Sequence, residues 1–193
     1  RTKPNANPWR YNYLSNFSTV IQAMSASGNE YGIATNAESH MLKNMEWGAV
    51  AYLTNSDYGR WSDGTCTEVS INSYYVSDAT GYKTGCGPQS KTSTSSGSTC
   101  NEYNSELGQL ASTTGNVYGI YDMSGGAYEY VMGNMSSAAG SYTYNKSSAQ
   151  SNFSYSTTTA KYVDTYSYET SYDDQAGYNR ARLGDATGEV VLS

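Results

Sequence analysis

Charge is scarce in this chain. Of its 193 residues only 15% are charged, and 11 Lys and Arg against 17 Asp and Glu leave a formal net charge of -6. With so few cations there is no basic stripe to neutralise phosphates, so nucleic acid is excluded as a natural partner and an anionic membrane surface is equally unsuited. Long apolar runs are missing as well. None approaches the roughly 20 residues that span a bilayer, and the chain does not open on the basic, apolar and small-residue pattern of a secretion leader. Opening on Arg1 without Met, it reads as processed or excerpted, with any anchor upstream.

Histidine occurs once, at His40, and one imidazole cannot build a histidine-based iron site. His40 has no recognisable motif partner that would make it the base for a serine or for Cys66, so hydrolase chemistry is not expected. It reads as a packing or capping residue. Asp173 and Asp174 read as solvated loop carboxylates rather than the acid and base of a glycosidase. No enzyme activity and no cofactor are expected, calcium excepted: Asp122 and Asp185 are candidate calcium oxygens, with an Asx turn as the alternative at Asp185.

What the chain has instead is 21 tyrosines, 19 glycines and abundant Ser, Thr and Asn. Aromatics at 13% with a modest net charge mark a folded chain rather than a disordered one. The length suits a single domain over residues 1–193 with one sizeable core. Cys86 and Cys100 flank the polar loop "CGPQSKTSTSSGSTC", which a disulfide would close with about 3 kcal/mol of stabilisation. The alternative is two unpaired thiols. Cys66 is then odd, and is open to burial, to pairing between chains or to displacing one partner of the bridge.

Tyr13, Leu14, Phe17, Val20, Ile21 and Met24 recur at helical spacing, which predicts a helix over 13–25 with Asn12 or Ser15 as cap and Gly28–Asn29 as stop. A second helix is predicted from Glu38 to Asn55, capped by Thr35 or Asn36, with Gly48, Ala49 and Ala51 permitting close packing. Between Gly59 and Gly115 turn formers prevail, with short strands expected at Thr67–Ile71 and Tyr74–Val76. The stretch from Gly115 to Asn134 alternates apolar and polar residues about a Gly-Gly turn and reads as buried strands at the heart of the core. Residues 136–160 read as a Ser/Thr/Tyr-rich surface loop. Asn-X-Ser sequons at Asn16, Asn134, Asn145 and Asn152 are no more than such a composition supplies by chance.

Two segments, "HMLKNMEWGAVAYL" and "YGIYDMSGGAYEYV", together resemble the formylglycine-generating-enzyme family, whose members carry "PTEAEWEYAAR" and "GLYDMAGNVWEW". Glu46, Trp47, Ala49 and Ala51 match the first pattern. Gly119, Tyr121, Asp122, Met123, Gly125, Glu129 and Val131 match the second. The blocks "TKPNANPWR", "SHMLKNMEWGAVAYL", "STTGNVYGIYDMSGGAYEYVMGN" and "ARLGDATGE" further resemble the pilin-associated surface domains of Gram-positive gut bacteria, where Cys86 and Cys100 look like the usual pair. Tyr128 and Gly126 depart from the enzyme pattern, which has Trp and Asn there, and its pair of copper-binding cysteines has no counterpart after Cys100.

The resemblance implies an α+β class, the C-type lectin or formylglycine-generating-enzyme-like fold. That fold has two helices against a small antiparallel sheet with long irregular loops, here lacking the usual first and last strands. An open edge of this kind invites strand addition from a neighbouring subunit. The role implied is a non-catalytic extracellular structural or adhesive domain of a pilin-like, filament-forming surface protein. Its partners would be a homo-polymer or other surface subunits, with host glycans or proteins as further candidates. The alternatives are a receptor- or glycan-binding tip module, and a degenerate metalloenzyme. Tyr162, Tyr166, Tyr168, Tyr172 and Tyr178, mixed with small polar residues, are the candidate ligand-binding residues, since tyrosine offers broad amphipathic contact at low rotamer cost. Packing of these tyrosines on an irregular core is the competing reading.

Overall fold

The computed structural model describes residues 3–77, 81–92, 94–127, 129–136, 142–143 and 161–166. The chain divides into two compact units, each discontinuous in sequence. One comprises Arg1–Arg10 with Ala49–Glu129, the other Tyr11–Gly48 with Tyr130–Ser193. The class is mixed α+β.

In the second of these units, helix α1 spans Leu14–Ala23. Leu14, Phe17 and Ile21, spaced by helical periodicity, face a core of Leu14, Met41, Met132 and Val163, with Tyr162 packed against it. Each such side chain stabilises by roughly 1.5–3 kcal/mol when fully covered. Val20 and Tyr13, expected on the same face, are exposed. The expected Asn12 cap is local rather than regular: its carboxamide oxygen accepts from the Tyr13 N–H at 2.9 Å and from the Asn16 amide, while Tyr13 occupies the capping position.

Helix α2 runs Asn44–Tyr52, with a 3-10 turn at Leu53–Asn55. The predicted start at Glu38 is wrong by more than a turn, and neither Thr35 nor Asn36 is its cap. Glu38 has φ of 50°, incompatible with a right-handed helix. Residues before Asn44 are instead drawn out beside Met132, whose N–H donates to the Leu42 carbonyl at 2.8 Å, forming a parallel bridge at Lys43. Strand β3 (Gly133–Ser136) then pairs antiparallel with β4 (Tyr142–Thr143) and parallel with β5 (Asp164–Tyr166). This sheet is mixed, not the antiparallel one expected.

The other unit is largely irregular. A hairpin joins β1 (Trp61–Ser62) to β2 (Thr65–Cys66). Its turn is Asp63–Gly64, both at positive φ (50° and 78°), the conformation that matches the twist of paired strands. Arg60 ties the hairpin down, its guanidinium donating to the carbonyls of Thr67, Leu110 and Ser112. One helical turn, α3 at Glu106–Gln109, starts on Ser105, whose hydroxyl accepts from the Gly108 N–H at 2.9 Å. The strands expected at Thr67–Ile71 and Tyr74–Val76 do not form; isolated bridges at Asn72 and Tyr74 stand in their place. Nor is Gly115–Asn134 a pair of buried strands. It turns repeatedly, its Gly-Gly turn has φ of 76° and 77° at Gly125 and Gly126, and Tyr118 and Ile120 are exposed. Among the described residues of this stretch, Met132 alone enters the core cluster.

Candidate functional site

Cys86 and Cys100 are joined in a disulfide across 14 residues. Cys86 is fully buried. The loop they close is fastened along its length: Gly87 N–H donates to the Asn101 carbonyl, the Asn101 amide to the Pro88 carbonyl, and the Gln89 amide to Thr99. Gly97 exchanges backbone bonds with Ser73 and Tyr75, so the loop's far end is held against the body of the same unit. Cys66 carries a free, partly buried thiol beside the Asn55 side chain, 2.6 Å from Oδ1, and takes no part in the bridge.

Next to the disulfide lies a polar node of which sequence reading singled out Asp122 but not Asn72. Asn72, nearly fully buried, donates through its amide to the Lys83 carbonyl and to Asp122, each at 2.8 Å. Asp122 is held at φ of 65°, and both its oxygens also accept from the Gly85 N–H, at 3.0 and 2.8 Å. The Asn72 backbone bonds Ser124 and Gly126, and a side chain at Gly125 would drive into Ile71 and the Asn72 carbonyl. The turn at Asp122–Gly126 is thereby clamped onto residues 72 and 85. Burial pushes the Asp122 carboxyl up, with the Asn72 and Gly85 donors opposing it. The two oxygens face N–H groups of Asn72 and Gly85, an arrangement that holds the turn. Asp185, the other candidate calcium oxygen, lies outside the described residues. Among those described, no three His, Cys, Asp or Glu side chains converge to hold a metal.

The residues carrying the family resemblance are placed unevenly. Trp47 is buried. Tyr121, Asp122 and Met123 are half-buried, whereas Gly125 and Glu129 are exposed. Tyr121 stands edge-on to Tyr103 with its hydroxyl donating to the Tyr103 and Asn116 carbonyls. Burial raises its pKa, against a lowering contact with Ser112. Glu46 and Trp47 belong to one compact unit and the 121–129 block to the other.

Glu46 works at the start of α2. Its carboxylate reaches back to the Lys43 N–H at 2.8 Å, as in a capping box, and faces His40 Nε2 at 3.2 Å. Burial would raise its pKa, but the Lys43 N–H, His40 and the Lys43 charge together lower it. His40 also contacts the Glu38 carbonyl through Nδ1 at 2.9 Å and stacks obliquely on Tyr162. A second carboxylate, the buried Asp164 of β5, accepts from the Met45 N–H at 2.8 Å and lies 3.4 Å from the Lys43 ammonium. Two carboxylates thus meet the positive end of α2.

Of the proposed ligand-binding tyrosines, Tyr162 is half-buried between His40 and Lys161, which is itself ion-paired with Glu38. Tyr162 is therefore a packing residue for that core rather than a free ring. Tyr166 closes β5. Tyr168, Tyr172 and Tyr178 lie outside the described residues, as does Tyr128. Exposed rings occur elsewhere, including Tyr11, Tyr58 and Tyr118 at 82%, 85% and 91% exposure. Nothing in local spacing distinguished these from core tyrosines.

The structure therefore defines a disulfide-bonded protein of mixed α+β class, and among its described residues no helix is long and apolar enough to cross a membrane. Comparison with models of protein families, with curated proteins and with solved structures gives no match.

Proposed function

We propose that this chain is a non-catalytic, extracellular structural and adhesive domain of a bacterial pilin-like or filament-forming surface protein. We further propose that it is built on the formylglycine-generating-enzyme variety of the C-type lectin fold. The observation that carries the reading is the Cys86–Cys100 disulfide, buried at Cys86 and fastened by its loop. Bridges of this kind persist in oxidising compartments. The sparsely charged, hydroxyl- and amide-rich composition suits a surface exposed to solvent without strong fields. The non-catalytic part rests on chemistry: the sole imidazole of the sequence faces the Glu38 carbonyl and the Glu46 carboxylate.

Mass spectrometry on native material tests the compartment. Protein recovered from outside the cell with Cys86 linked to Cys100 is the expected result; protein confined to the cytosol with both thiols reduced would refute it. A second reading, a receptor- or glycan-binding tip, is favoured by the exposed rings of Tyr11, Tyr58 and Tyr118. Screening the chain against immobilised glycans and host proteins separates binding from purely structural service.

A further inference from the structure

Both ring nitrogens of His40 face groups that can only accept. Nδ1 stands 2.9 Å from the Glu38 carbonyl oxygen, and Nε2 stands 3.2 Å from Glu46 Oε2. A neutral imidazole carries one N–H and one lone pair, so it satisfies one of these acceptors and turns a lone pair on the other. Only the imidazolium donates to both. Although burial opposes it, the Lys43 N–H and His40 hold Glu46 below its ordinary 4.5, so this partner is already an anion where an imidazole titrates. The ring also lies 5.3 Å from that of Tyr162, centroid to centroid. Three stretches of chain thus meet on one side chain: the residues that lead into α2, the first turn of α2 and the approach to β5.

We infer that His40 is an acid-closed clasp, joining the lead into α2 to the helix and to Tyr162 when its ring is protonated and letting go of Glu46 when it is not. The proton is exchanged with solvent at Nε2, because the neutral ring keeps its hydrogen on Nδ1 for the shorter bond to Glu38. The lone pair left at Nε2 then meets a carboxylate, which repels it. An imidazole changes charge between about pH 5 and 8, a window in which carboxylates, ammonium groups and phenols ordinarily keep theirs. The other charged groups about the ring are engaged with one another: Lys161 pairs with Glu38, and Lys43 with Asp164. His40 is therefore the group whose charge changes there. The clasp matters because of what the lead carries, since Met41 enters the core from it and Lys43 bridges to Met132. Its contribution to stability is present while the ring is protonated and is lost as pH rises through the imidazole window. Acid tightens this edge of the core, and alkali frees residues 38–40 while the bond from the Lys43 N–H to Glu46 still holds the helix start.

The test is urea unfolding of the wild type, His40→Phe, Glu46→Gln and the double variant at about pH 5.5 and about pH 8.5. Phe keeps a ring beside Tyr162 and Gln keeps an acceptor for the Lys43 N–H, so the cycle isolates the contact between positions 40 and 46. The two side chains are 30% and 37% exposed, which lets water screen the pair. A coupling of about two- to fivefold in the unfolding equilibrium is therefore expected at the lower pH, vanishing at the higher. Nitrogen-15 NMR of the imidazole in the intact wild-type chain reads the same device without unfolding it: hydrogen on both ring nitrogens at the lower pH, and on Nδ1 alone at the higher. Coupling that is equal at the two pH values or absent at the lower one would overturn the inference. So would a neutral ring that keeps its hydrogen on Nε2.

Discussion

Asp122 and Glu46 are both carboxylates that accept backbone N–H groups, and their titrations run in opposite directions. Asp122 is raised above its ordinary 3.8 because burial outweighs its donors, so the folded state holds its proton more tightly than the unfolded chain does. Its contribution to stability is fully present below the unfolded value and is lost as pH rises through the folded one. Glu46 is lowered from 4.5, so its contribution is present above that value and is lost as pH falls through the folded one. In urea unfolding from pH 3 to 7, the advantage of wild type over Asp122→Asn should therefore shrink as pH rises, while its advantage over Glu46→Gln should grow. Parallel pH trends for the two variants would contradict these environments. Neither role was legible beforehand. The sequence marked both residues through resemblance, but Asn72 and Gly85, which set the behaviour of Asp122, sit 50 and 37 positions away.

At the scale of elements, α1 was readable because its apolar residues follow one helical face, and the turn at Gly125–Gly126 because adjacent glycines permit positive φ. The start of α2 was not. Periodicity continues back to Glu38, yet Met41 reaches the core from extended chain, and the helix begins where Glu46 and Asp164 supply its caps. Asp164 lies 119 residues from Met45, beyond any window of local pattern. Removing it in Asp164→Ala deprives the Met45 N–H and the Lys43 ammonium of a buried partner, and should cost about 1–3 kcal/mol in chemical denaturation. Asp164→Asn keeps an acceptor for the N–H and should lose less. Equal losses would mean that the ion pair with Lys43, not the cap, carries the effect. The hairpin at Trp61–Cys66 was missed although Asp63–Gly64 is a strong two-residue turn signal, because no alternating strands flank it.

At the scale of the molecule, the bridge was foreseen from two cysteines around a flexible polar loop, and its burial at Cys86 was not. Opening it in a Cys86→Ser, Cys100→Ser double variant should cost about 3 kcal/mol, the loop-closure entropy returned to the unfolded chain. Calorimetry with and without reductant checks this; a melting curve unmoved by the double substitution would mean that Gly97 and Asn101 hold the loop unaided. Function was the least legible level, because the exposed ring of Tyr118 and the packed ring of Tyr162 look alike in sequence and differ only in what surrounds them. The surface role makes the most exposed claim of all. Electron microscopy of intact producing cells, labelled with antibody against this chain, addresses it directly: gold along filaments at the cell surface is the predicted result, and gold confined to the cell interior would contradict it.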